Sequence, residues 1–275
     1  MPYYFFGRYF VQAVDDCTIS SLIGHRRVKG KTVKRHPKVT IITPCLNSED
    51  TIRETIESVL HQTYTNIEYI IIDGKSTDNT IHIIQEYIPL FRGRLRFISE
   101  KDSGIYEAMN KGIKLSTGSL IGIINSDDFY SNDAVENIIL HMTDDKYQVI
   151  YGYCRLMNKN RIIGIVKYRH ENLKDGMIPH PTCFVTRKVY QDFGLFLRSF
   201  HIVSDYEFMI RLYDSNRVVF TQIKDIIANF RTGGTSCNMK KRKIEDVWVK
   251  YHYKWISFGD VLKSVIEIYF LKDFR

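Results

Sequence analysis

The chain has 275 residues, 44% hydrophobic and 25% charged, a composition that excludes disordered and collagen-like classes and suffices for one large core. Its net charge of +8 sits at the ends: residues 1–38 carry eight basic and two acidic side chains, residues 238–275 nine and five, which leaves −2 for the 199 residues between. A mildly acidic body with basic termini argues against a nucleic-acid groove through the body; it fits termini that meet an anionic surface, or that are simply solvated.

The five cysteines are an odd number, widely spaced and without a CxxC pair, which predicts reduced thiols in a cytosolic protein and no zinc cluster. No apolar run reaches the ~18 residues of a membrane span. The N-terminal "YYFFGRYFVQAV" lacks the basic start and small-residue cleavage site of a signal peptide. Residues 1–37 are expected to form a basic, aromatic arm, with "HRRVKGKTVKRHPK" as the linker into the folded body.

From there strands and helices alternate. "KVTIITP" is a predicted strand, and "EDTIRETIESVLHQ" a helix with Ile52, Ile56, Val59 and Leu60 on one face. "IEYIIIDG" is a strand, "DNTIHIIQEYI" a helix with Ile81, Ile84 and Ile88 inward, "RLRFIS" a strand, "GIYEAMNKGIKL" a helix and "SLIGIIN" a fourth strand. Such alternation predicts an α/β fold with a mostly parallel central sheet flanked by helices. Further on, "YQVIYGYCRLM" and "NRIIGIVKY" resemble a hairpin, "SDYEFMIRLYD" a short helix, "VVFTQIKDIIANFR" one or two strands, and residues 240–272 two helices.

Ligands of open α/β sheets bind at the carboxyl ends of the parallel strands. Those ends here supply Asp73, Asp102, Asp127 and Asp128. Ser76, Asp78 and Ser131 read as helix N-caps, but the pair Asp127-Asp128 precedes the next helix by too much to be caps. Adjacent carboxylates at the mouth of a core cost free energy unless a positive group lies beside them. With no His or Cys companions, they suit a hard ion such as Mg²⁺ or Mn²⁺ shared with a phosphate. The first strand is followed by "TPCLNSED", without the glycines of a dinucleotide-binding or P-loop turn.

The segments "VTIITPCLN", "TIRETIESVLHQTYTNIEYIIIDGKSTDNT", "ISEKDSGIYEAMNKGI" and "GSLIGIINSDDFY", in that order, resemble the family 2 glycosyltransferases, inverting enzymes of GT-A fold, and most of all the bacterial members that build O-antigen, capsule or colanic-acid-type polysaccharide. The resemblance covers roughly residues 38–235 and implies a nucleotide-sugar half over 38–130, an acceptor half over 131–237 and a helical extension over 238–275. It assigns Ser126-Asp127-Asp128 to the DxD-type motif, with Asp128 holding the metal and Asp127 supporting it or reaching the ribose. Thr43, Pro44, Asp73 and Asp102 fall where relatives line the nucleotide pocket. Many relatives have Asp-Asp-Gly-Ser where this chain has Asp73-Gly74-Lys75-Ser76, so one acidic contact to the base is missing. Asp205 corresponds to the catalytic base, with Glu207 as the fallback. His180 falls near the acceptor and Arg231 near the phosphates.

The resemblance therefore implies sugar transfer from a nucleoside-diphosphate sugar, a UDP-sugar in the first instance, to a glycan acceptor that is often lipid-linked, with Mn²⁺ or Mg²⁺ and on the cytoplasmic face of the inner membrane. Trp248, Tyr251, Tyr253 and Trp255 beside Lys250 and Lys254 would suit peripheral contact with an anionic leaflet. Two other classes are weighed. A nucleotidyltransferase would show a glycine-rich basic loop after the first strand, which is absent. A non-catalytic sugar-nucleotide scaffold would have lost Asp128 or Asp205, and both are present.

Overall fold

A computed structural model describes residues 3–6, 9–12, 36–159, 161–233 and 239–270. The strands are β1 (Tyr3–Phe6), β2 (Tyr9–Gln12), β3 (Val39–Cys45), β4 (Ile67–Asp73), β5 (Leu95–Ser99), β6 (Leu120–Ile123), β7 (Phe129–Tyr130), β8 (Gln148–Asn158), β9 (Arg161–Val166), β10 (Phe184–Thr186) and β11 (Val219–Arg231). The helices are α1 (Ile52–Leu60), α2 (Thr80–Tyr87), α3 (Ile105–Leu115), α4 (Ala134–Leu140), α5 (Arg187–Phe193), α6 (Ser204–Asp214), α7 (Met239–His252) and α8 (Phe258–Phe270).

One sheet runs β1-β2-β9-β8-β10-β6-β3-β4-β5, with β11 paired to β8 and β7 off this path. Within it β6, β3, β4 and β5 are mutually parallel. Their sequences are near-continuous apolar runs because both faces are covered, and every residue of β3 is buried. Beyond β6 the sheet turns mixed: β10 is antiparallel to both β6 and β8, and β11 runs parallel to β8. The second-half hairpin forms as β8 and β9, and "VVFTQIKDIIANFR" is one long strand with register shifts.

α3 lies across β3 and β4, where Gly112 permits the approach: a Cβ there would meet Ile42 Cγ2 at 2.5 Å. In α1 the expected face is joined by buried Thr55 and Ser58, polar residues with a task at the rim described below. In α2 the inward face is Ile83, Ile84 and Tyr87; Ile81 is only half-buried, and Ile88 stands exposed just past the helix. The helix thus presents a face rotated from the expected i, i+3, i+7 spacing, because Tyr87 fills the space beside Arg53 and Glu57 of α1.

Within the expected arm, Tyr3–Phe6 and Tyr9–Gln12 pair antiparallel as β1 and β2, and β2 adds to the sheet at the edge of β9. Residues 13–35, Cys17 and Cys237 lie outside the described residues. Cys45, Cys154 and Cys183 are buried free thiols, and burial pushes the pKa of each upward.

Candidate active site

The strand-end residues converge on one rim. Asp73, at the last position of β4, is fully buried and accepts from the backbone N–H of Lys75 and Ser76, at 3.1 and 3.0 Å, and from the Ser99 hydroxyl at 2.6 Å. The Ser76 hydroxyl also donates to Asp73 and accepts from Asn47 N–H, so Ser76 closes this turn and is not the helix cap expected of it. Asp78 does act at the helix start, accepting from Thr80 N–H at 3.0 Å. The turn holds Lys75 at φ 71°, a left-handed conformation that a non-glycine residue adopts at a cost.

Across the rim Asp102 pairs with Lys111 through Oδ1, while its Oδ2 is buried without a partner. A side chain at Gly74 would come within 3.5 Å of that Oδ2 and of Leu46, so β3, β4 and β5 deliver their ends to one small volume. Thr43 behaves otherwise: its hydroxyl accepts from Tyr69 at 3.0 Å inside the core, and Pro44 is buried in β3, so Thr43 faces the core and not the rim.

Ser126, Asp127 and Asp128 follow β6 in a turn closed by Asp128 N–H to Asn125 O at 3.1 Å. Thr55 of α1 reaches the carbonyls of Ser126 and Asp128, at 2.9 and 2.7 Å, and Ser58 accepts from Tyr130 N–H, which explains two polar residues on a buried helix face. The Ser126 hydroxyl meets that of Ser48 at 2.8 Å. Asp128 is fully buried. Its Oδ1 accepts from Arg231 N–H at 2.9 Å, and its Oδ2 has no partner. Burial, and then the Asp127 carboxylate beside it, hold the Asp128 carboxyl well above its usual range. Burial also raises Asp127. The Arg231 guanidinium donates to Asp127 O at 2.7 Å, pairs with Glu54 and lies over the Phe129 ring. Ser131, expected to cap, does not: α4 begins at Ala134 and the Ser131 hydroxyl is an orphan.

Among the described residues no group of three or more His, Cys, Asp or Glu side chains is gathered closely enough to hold a metal ion by itself. Asp127 and Asp128 offer hard oxygen donors, one of them buried and unpartnered, which fits a divalent ion whose remaining ligands come from elsewhere.

Asp205 lies in the first turn of α6, half-buried. Its Oδ1 is 2.9 Å from the Tyr106 hydroxyl, which also lies 2.8 Å from Ile202 O. Tyr106, in the first turn of α3 after the β5 end, thereby joins Asp205 to the rim formed by the strand ends. His180 is buried, within electrostatic reach of Asp205, and burial lowers its pKa. Glu207 is committed elsewhere. It is 1% exposed, receives both Nε and Nη2 of Arg211 at 3.0 Å and accepts from Tyr253 at 2.7 Å. That leaves it a structural carboxylate, not a second candidate base. An open cleft of about 610 Å³, lined by Phe200, Trp248, Tyr251, His252, Lys254 and Ile256, lies beside α7.

Residues 40–202 match the profile of glycosyl transferase family 2. The chain belongs to that family. It is thus a transferase by kinship, and its architecture is the GT-A fold. It is 31% identical to chondroitin synthase of Escherichia coli over 84% of its own length, but spans only 34% of that relative. It is 26% identical to a PGL/p-HBAD biosynthesis glycosyltransferase of Mycobacterium bovis, over 74% of this chain and 80% of that one. In fold it is similar to Staphylococcus aureus TarS 1–349 in complex with UDP-GlcNAc, with a TM-score of 0.62, 16% identity, and 84% of this chain and 71% of that one covered. It also resembles the mannosyltransferase PcManGT of Pyrobaculum calidifontis in complex with GDP-Man and Mn²⁺, with a TM-score of 0.61 at 15% identity, covering 87% of this chain and 72% of that one. Tyr106, Ser99 and Lys111 fall within the matching segment "ISEKDSGIYEAMNKGI", but no local pattern pairs them with their partners; each is joined to its partner only by the fold.

Proposed function

We propose that this family 2 member is an inverting, metal-dependent glycosyltransferase that moves a sugar from a nucleoside-diphosphate sugar, a UDP-sugar first, to a hydroxyl of a lipid-linked glycan in bacterial surface polysaccharide synthesis. The observation that carries it is the buried Asp128 oxygen without a partner, beside Asp127 and under Arg231 at the end of a parallel strand.

Inversion requires one displacement, and so one base. Asp205 takes the proton of the acceptor hydroxyl onto a carboxylate oxygen as the hydroxyl attacks the anomeric carbon; such transfers typically contribute about 10²–10⁴ in rate. The Tyr106 hydroxyl bond keeps that carboxylate oriented. Asp128, with Asp127, would hold Mn²⁺ or Mg²⁺, which when bound supplies positive charge to the departing diphosphate. Arg231 adds a fixed cation on the same side, and Asp73 and Asp102 face the nucleoside. His180, whose pKa burial lowers, borders the acceptor side.

No helix among the described residues is long and apolar enough to cross a membrane. Peripheral contact with the cytoplasmic leaflet rests on the exposed apolar side chains of α7 and α8: Trp248, Tyr251, Phe258, Leu262, Ile266 and Tyr269. Tyr253 and Trp255, expected in that belt, instead pack inward on the core. On α8 the spacing Phe258, Leu262, Ile266 makes one stripe, with Lys263 close by.

The test is calorimetric titration of UDP- and GDP-sugars, with and without Mn²⁺, into wild type and Asp128→Ala. Metal-dependent binding of one nucleotide sugar, lost in the variant, is expected; no metal-dependent binding of any overturns the reading. Sedimentation with anionic liposomes at low salt tests the membrane contact, and failure to sediment ends that part.

A further inference from the structure

The segment that leads into Asp205 is held from outside the family-matched region. Glu245, in the middle of α7, accepts from three consecutive backbone N–H groups: His201 at 3.1 Å, Ile202 at 2.8 Å and Val203 at 3.2 Å. Its side chain is 12% exposed, and the His201 ring lies 3.7 Å away. Successive N–H groups converging on one point form an anion-binding concavity, and bonds from them to a carboxylate are charge-assisted. The site is also the N-terminal end of α6, where negative charge is favoured.

These bonds reach the reacting side chain in two steps. Ile202, whose N–H goes to Glu245, offers its carbonyl to the Tyr106 hydroxyl, whose single proton it shares with the Asp205 carboxylate. α7 is itself fixed through fully buried Val249, and Tyr253 just beyond it is tied to Glu207 on the far side of α6. The segment of α7 and Tyr253 therefore holds α6 and the residues leading into it at two points, and the hold at Glu245 bears on the geometry of the carboxylate that the transfer uses.

We propose that Glu245 is a positioning residue for Asp205: by fixing the backbone of 201–203 it sets the Tyr106–Asp205 hydrogen bond, and so the C-terminal extension takes part in the transfer step. The inference rests on Asp205 being the base. A glutamine at 245 would keep one accepting oxygen but turn an amide donor toward N–H groups that are themselves donors. Displacements near 1 Å in a reacting constellation cost about 10²-fold in rate.

The experiment follows nucleoside diphosphate release from a pool of UDP-GlcNAc, UDP-GalNAc, UDP-Glc, UDP-GlcA and GDP-Man with Mn²⁺ in water, for wild type, Glu245→Ala, Glu245→Gln and Asp205→Asn. Amide hydrogen exchange across 198–206 is recorded for each. The inference expects kcat to fall about 10- to 100-fold in both Glu245 variants, with apparent KM within twofold and faster exchange at 201–203. Wild-type kcat in those variants overturns it, and so does a joint collapse of kcat, nucleotide affinity and thermal stability, which marks a plain structural prop. Asp205→Asn at the wild-type rate overturns the base assignment and the inference built on it. No release by wild type from any of these donors overturns the proposed reading of the site on which the inference rests.

Discussion

Two carboxylates two residues apart, Asp205 and Glu207, should separate activity from stability. Glu207 is enclosed, with three donated hydrogen bonds from Arg211 and Tyr253. Truncating it leaves the Arg211 guanidinium, 22% exposed, with the carbonyls of Phe193 and Leu195 and the Phe208 ring but no opposite charge. Breaking a buried pair from one side costs about 3–5 kcal/mol. For a chain of this size that is a fall in Tm of roughly 6–10 °C for Glu207→Ala. Asp205→Asn is isosteric and half-exposed, so its stability should shift by only about 0.5 kcal/mol, whereas kcat should fall by about 10²–10⁴. Differential scanning fluorimetry and diphosphate release, run on the same preparations, read the two effects. A Glu207→Ala protein that keeps its Tm but loses all turnover, paired with an active Asp205→Asn, would refute the assignment of roles.

Arg231→Ala removes the guanidinium bond to Asp127 O and the contact over Phe129 but leaves the backbone N–H to Asp128. Calorimetry should show nucleotide affinity weakened about tenfold, or 1.4 kcal/mol, while Mn²⁺ dependence persists. His180 is depressed below its ordinary 6.5 by burial, partly offset by Asp205. The unfolded chain therefore takes up the proton first as pH falls, so this group's stabilisation is present above 6.5 and is lost below it toward the folded pKa. Denaturant titrations at pH 7.5, 6.5 and 5.5 should show a slope of up to about 1.4 kcal/mol per pH unit that is shallower in His180→Asn. Lys75→Gly relieves a left-handed residue and should raise stability by about 0.5–1 kcal/mol after the added freedom of the unfolded chain is subtracted; an unchanged or lower denaturation midpoint would count against strain at that turn.

The parallel strands were legible because they are buried on both faces and so read as unbroken apolar runs, each ending in a polar turn that stands out against them. β3, β4 and β6, and the Asp127-Asp128 pair after β6, follow from that contrast. The phase of α2 was not legible, since Tyr87 sits inward for reasons that lie in α1. Glu207 carried a readable sign of its structural role, an Arg four residues later, which is the spacing of a helical ion pair. The N-terminal hairpin was also signalled: Gly7-Arg8 separates two short aromatic runs, a pattern that favours a two-residue connection. Tyr106 and Asp205 are 99 residues apart, and Glu245 is more than 40 from the backbone it holds; no local pattern encodes such pairs.

The three-residue strand β10 ties together two parts of the sheet. It is the seam through which the parallel strands, at β6, join β8 of the mixed part of the sheet, and Phe184 fits against Gly122 so closely that a methyl group there would lie 2.5 Å from the ring. A graft that exchanged residues 38–130 as a cassette to change donor choice would part strands that share this seam. Chimaeras with relatives should fold only when the segment around Phe184 travels with the transplanted half, so donor preference is better altered one rim residue at a time.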